Sequence, residues 1–145
     1  PEISHEGVAL NGGLQQLRSG SEYVVLSTGM MSHWSQAAVE NLAGDGIDIG
    51  HFDVFRFPID REPLLDAVCD ARRVIPLEEH FLPGGFGSAV IETLSAAGRM
   101  VPVKRLGLGH EQGYAYVYGG REEIHRHYGI DAPSIETEMR AFFNS

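Results

Sequence analysis

The chain has 145 residues, 43% of them hydrophobic and 21% charged, with one cysteine and a formal net charge of −9 at pH 7. That balance suits one globular domain that buries a core without staples, and a lone cysteine rules out a disulfide framework. It also argues against nucleic acid, because phosphates repel an acidic surface and no stretch clusters Lys and Arg with aromatics.

No apolar run approaches the roughly 20 residues of a membrane span, and no signal-peptide pattern opens the chain. A lone Cys69 points to a reducing, cytoplasmic compartment. Pro1 in place of an initiator Met is expected of a processing boundary.

In chain order, residues 1–20 predict a peripheral strand and a turn. The run EYVVLSTG (22–29) is β-branched and apolar and is closed by Gly29, which predicts a strand. Residues 30–43 place Met31, Trp34, Ala38 and Leu42 on one helical face, and GDG (44–46) stops that helix. A second strand follows at 47–55, and FPID (57–60) turns into a helix carrying Leu64, Val68 and Ala71. Residues 72–79 predict a third strand. Residues 84–98 predict a third helix with Phe86, Val90, Leu94 and Ala97 inward, and VPVKRLGL (101–108) a fourth strand. The glycine-rich, aromatic segment 109–120 reads as an irregular loop. A helix over 121–128 ends at Gly129, and Asp131 is placed to cap a last helix striped by Ile135, Met139, Phe142 and Phe143. Strand–helix alternation at this spacing predicts an α/β sandwich on a largely parallel sheet, with right-handed crossovers and helices on both faces. No repeat or linker interrupts it, so residues 1–145 are expected to form a single domain.

VIPLEEHFLPGGFGSAV (74–90) carries the densest chemistry. A glycine-rich turn between strand and helix can offer backbone N–H groups to an anion. The dinucleotide fingerprint fails, however: from Gly85 the third glycine position is Val90, and the next strand carries Lys104 and Arg105 where an acidic residue is needed. Glu78 and Glu79 are strand neighbours, so their carboxylates point to opposite faces and cannot form an acid–base pair. Glu79 or His80 lies where α/β proteins place ligands, which leaves a functional role open. The more frequent outcome is a carboxylate that accepts backbone hydrogen bonds and holds the next loop. Gly85 is expected in a positive-φ turn. His125 and His127 do not share a helix face and are expected at the surface. Cys69 is expected as a small core residue, and Ser88 lacks a nucleophile-elbow frame.

This stretch, followed by VPVKRLGLG, resembles the C-terminal domain of transketolase and related thiamine-diphosphate enzymes. GGLQQLRSGSEYVVLSTGMM, GIDIGHFDVFRFPIDREPLL with Pro58 and Asp60, and YGIDAPSIETEMRAFF extend the resemblance over nearly the whole chain. It implies a three-layer α/β/α sandwich with a mixed five-stranded sheet, one strand antiparallel. It also implies a place in a larger, dimeric, transketolase-like transferase, whose other domains hold thiamine diphosphate and a divalent metal such as Mg²⁺. Those domains, in the same chain or a partner subunit, are then the partners, and the isolated chain is expected to be inactive. No catalytic, cofactor or metal residue carries over. What carries over is the signature turn, at Glu79, His80, Gly84, Gly85 and Gly87. The segment departs from relatives at Phe57, often Lys, and in the loop 109–120. Two alternatives stand beside this reading: the β subunit of a 2-oxo acid dehydrogenase docking its acyl-carrier partner, and a stand-alone anion-binding module using the glycine turn.

Overall fold

The structure is a computed structural model that describes residues 12–109, 115–116 and 118–145. The part of the opening strand and turn expected in residues 1–11 lies outside the described residues, as do positions 110–114 and 117 of the expected loop. The described loop positions carry neither helix nor strand.

Apolar and β-branched residues build the centre of the sheet. Strand β1 (Leu14–Arg18) is followed by β2 (Tyr23–Ser27), whose Val24, Val25 and Leu26 are fully buried. Gly29, at φ +61°, turns the chain into α1 (Met30–Trp34), which continues as α2 (Gln36–Gly44). Strand β3 (Ile49–Val54) leads to α3 (Arg61–Ala67), β4 (Arg73–Phe81), α4 (Phe86–Ala96) and β5 (Leu106–Leu108). Helices α5 (Arg121–Tyr128) and α6 (Ala132–Phe143) complete the order. The five strands lie in the order β1-β3-β2-β4-β5. Strands β2, β3, β4 and β5 pair in parallel, and β1 pairs antiparallel to β3 at one edge. The mixed five-stranded sheet is therefore the predicted one.

Strand alternation splits the core into two layers. Val25, Ile75 and Leu77 face Met31, Leu42, Ile135 and Met139, so α1, α2, α5 and α6 cover one side. Val24, Leu26 and Val74 face Leu64, Phe86, Val90 and Leu94, so α3 and α4 cover the other.

Three expectations need correction. The single helix over 30–43 is divided at Ser35, whose Oγ donates to the Met31 carbonyl at 2.7 Å, a back-bond that bends helices. The third helix segment ends at Ala67, so Cys69 sits in the following turn and is exposed rather than in the core. The last strand is only three residues long. Before it the chain touches β4 through an isolated bridge at Val103, next to Pro102, which has no N–H to give.

Candidate functional site

In an open parallel sheet, ligands and partners collect at the carboxyl ends of the strands. Here that edge is built largely by the end of β4. Leu77 faces the α6 side of the core, so alternation turns Glu78 toward α4 and Glu79 toward α5. The two carboxylates are separated as predicted, and each has its own task.

Glu78 is completely buried. The N–H of Phe86 donates to its Oε2 at 2.6 Å and that of Gly87 to its Oε1 at 2.9 Å. These are first-turn amides of α4, which have no partner inside the helix, and the N-cap, Gly85, has no side chain to offer them. A carboxylate from the neighbouring strand therefore caps α4. The carboxylate expected to accept backbone hydrogen bonds and hold the next loop is Glu78, which sequence reasoning left out of the signature turn. Gly85 is required for a different reason than expected. Its φ is −84°, whereas a Cβ there would lie 2.3 Å from Glu78 Oε2 and 2.4 Å from the Phe81 carbonyl oxygen. The positive-φ residue of this turn is Gly84, at +71°. Gly87 leaves room for Arg105, whose Cδ would be 2.8 Å from a Cβ.

Glu79 reaches the opposite layer. Its Oε1 lies 2.8 Å from His125 Nε2 and 2.9 Å from Arg121 Nε, tying α5 to the end of β4. His125 is buried, contrary to the expectation of a surface residue, and its ring meets Trp34 edge-on at 4.4 Å. The signal was available: His125 stands three positions before Tyr128, so the two share the inward face of α5. His127 is exposed, as expected. His80 is also exposed, with Nδ1 3.7 Å from Glu78 Oε2.

Behind the edge lies a polar network that sequence reasoning missed. His51 Nε2 is 2.7 Å from Ser27 Oγ and 3.2 Å from Ser35 Oγ. Ser27 Oγ donates to Ser32 Oγ at 2.8 Å, and Ser32 Oγ donates to Asp53 Oδ1 at 2.6 Å. All five residues are buried. Burial pulls the His51 pKa down to about 4, so its imidazole is neutral. Ser27, the last residue of β2, is fully buried and has no surface from which to attack a substrate.

Several apolar side chains near the strand ends are exposed to solvent. Among the described residues, Met30, Phe55, Phe57, Phe81, Tyr116 and Tyr118 are exposed large hydrophobics. Met30 follows β2, Phe55 and Phe57 follow β3, Phe81 ends β4, and the two tyrosines follow β5. Only Ile91 and Met100 of this class lie elsewhere among the described residues.

The edge does not fit thiamine diphosphate. The amides at the start of α4 that a diphosphate would need are occupied by Glu78, and among the described residues no three His, Cys, Asp or Glu side chains are grouped to hold a metal ion. The same occupancy removes the glycine turn as an anion cradle.

Comparison with known proteins places this geometry in context. The sequence profile described as "Transketolase, C-terminal domain" matches residues 12–135. The 1-deoxy-D-xylulose-5-phosphate synthase of Thermomicrobium roseum is 35% identical over 143 residues, 98% of this chain and 22% of the relative. A subunit of the apulose-4-phosphate transketolase of Actinobacillus succinogenes is 34% identical over 137 residues, 93% of this chain and 43% of the relative. A solved structure titled split gene transketolase, inactive beta4 tetramer, superposes with a TM-score of 0.82 at 26% identity, covering 97% of this chain and 46% of that one. The chain thus spans about a fifth of the synthase and less than half of the transketolase subunit.

Proposed function

The chain belongs to the transketolase C-terminal domain family, and from that premise we propose that it is the docking and scaffold section of a thiamine-diphosphate-dependent, transketolase-like enzyme. In this reading residues 1–145 act as one domain. The transfer of two-carbon ketol units between sugar phosphates, or a related synthase reaction, takes place on thiamine diphosphate and Mg²⁺ held by the other sections. The present chain contributes no group to that chemistry. Its carboxyl edge packs against the thiamine-binding section, in the same polypeptide or a partner subunit, and extends the subunit contact of a cytoplasmic oligomer.

One observation carries the reading: Met30, Phe55, Phe57 and Phe81, all exposed large hydrophobics, follow or end parallel strands, beside Glu78 and Glu79, whose partners lie within the chain. An apolar patch of this kind marks an interaction surface. The acyl-carrier alternative lacks half of the anchor it requires, because α6 turns Ile135, Met139 and Phe143 into the core. Hydrogen exchange tests the proposal. Amides of residues 55–57 and 79–82 are expected to slow when the chain is joined to its thiamine-binding section. Equal exchange in both states would contradict docking through this edge.

A further inference from the structure

A second feature lies at the other side of the β5 edge. Strand β5 is the last of the sheet, so one of its flanks has no neighbouring strand among the described residues. A cleft of about 650 Å³ opens along that flank, between β5, the turn after β4 and the α5–α6 connection. Its volume lies in the range of small-ligand sites, roughly 300–1,000 Å³.

The lining runs against the charge of the molecule. Among the described residues, Lys104, Arg105 and Arg126 border the cleft with His127, against the carboxylate of Glu138. The chain as a whole carries 11 Lys and Arg against 20 Asp and Glu. Lys104 pairs with Glu138, and Arg126 with Glu123 at 2.7 Å. Arg105 differs from both. Its Nη1 donates to the Leu82 carbonyl at 2.9 Å and to Ser88 Oγ at 3.0 Å, both neutral acceptors. No carboxylate among the described residues forms an ion pair with it, so neutral acceptors fix its position. The backbone adds a donor. The Lys104 N–H and the Leu108 carbonyl are bonded on the β4 side, and alternation turns the Gly107 N–H outward into the cleft.

We propose that this cleft is a binding site for a small phosphorylated anion, with Arg105 as its fixed fork and Arg126, Lys104 and the Gly107 N–H around it. A planar guanidinium matches phosphoryl oxygens in pairs, and one already held in place loses little freedom on binding. Leu106, Tyr128 and Ile130 supply an apolar wall for the rest of the molecule. The site stands independently of the docking reading.

Calorimetric titration of the chain with pyrophosphate, at low and at physiological salt, tests it. Binding is expected, weakening as salt rises, and Arg105→Gln is expected to reduce affinity about ten-fold, the loss of one charge-assisted contact. Because Arg105 also holds the Leu82 carbonyl, Arg126→Gln on the exposed helix face serves as the second variant and is expected to weaken binding by about three-fold. Arg72→Gln, outside the cleft and paired with Glu22, is expected to bind as the parent does. Absence of binding, or affinity unchanged in both Arg105→Gln and Arg126→Gln, would overturn the proposal.

Discussion

Glu78 shows how one side chain can give a catalytic-looking stretch a structural meaning. Its charge is buried, and two backbone amides on a helix terminus stabilise it there. Glu78→Ala leaves those amides without a partner and is expected to cost about 3 kcal/mol in denaturant unfolding. Gly85→Ala is expected to destabilise more than Gly84→Ala. The first forces a Cβ into Glu78 and the Phe81 carbonyl, whereas the second meets open space and carries only the strain of a left-handed residue, about 1 kcal/mol. Equal losses would contradict this account of the turn. His51 sets a pH dependence. Its folded pKa is lowered to about 4 from 6.5, so the unfolded chain takes up a proton that the folded chain refuses. That contribution to stability is complete above pH 6.5 and is lost as pH falls toward 4, by up to about 3 kcal/mol. Unfolding curves at pH 4.5, 5.5 and 7.5 are expected to show the slope, and His51→Gln to flatten it. Opposition between Glu78 and Glu79 was legible because strand alternation alone demands it. The identity of the capping carboxylate was not, because it depends on how closely Gly85 and Gly107 let two backbones approach that side chain.

At the scale of elements, local pattern predicts well where burial and propensity agree. Val24–Leu26 and Val74–Leu77 read as strands and are the buried centre of the sheet. Prediction fails where a distant partner decides. Ser35 interrupts a helical run because its hydroxyl bonds back to Met31 and lies beside His51, which no local window reveals. Helix α5 is strongly polar, yet it is fixed by His125 and Arg121 converging on Glu79, far away in sequence. Arg99, just beyond α4, gathers the carbonyls of Val68, Cys69 and Ala71 and so holds the turn after α3. Glu79→Gln keeps the shape of the side chain and removes its charge. It is expected to speed hydrogen exchange in α5 while leaving β4 protected, as a locally coupled element should behave. Uniform loss of protection would instead place Glu79 in the global core.

For the molecule as a whole, two features separate cleanly. The acidic sandwich holds itself together through two apolar layers. Among the described residues, four of its exposed large hydrophobics, Met30, Phe55, Phe57 and Phe81, follow or end parallel strands at the carboxyl edge. The family was legible in the sequence through the spacing of its motifs, which requires only linear order. The proposed docking edge was not, because Met30, Phe57 and Phe81 come from three separate segments that only the strand order brings to one edge of the sheet. The most direct test joins Phe81→Glu with Tyr118→Glu, two surface positions whose change leaves the core untouched. Sedimentation of this variant with the thiamine-binding section of its enzyme is expected to show no association, while its melting temperature stays that of the parent chain. Association as tight as the parent's would contradict the assignment of this edge as the docking face.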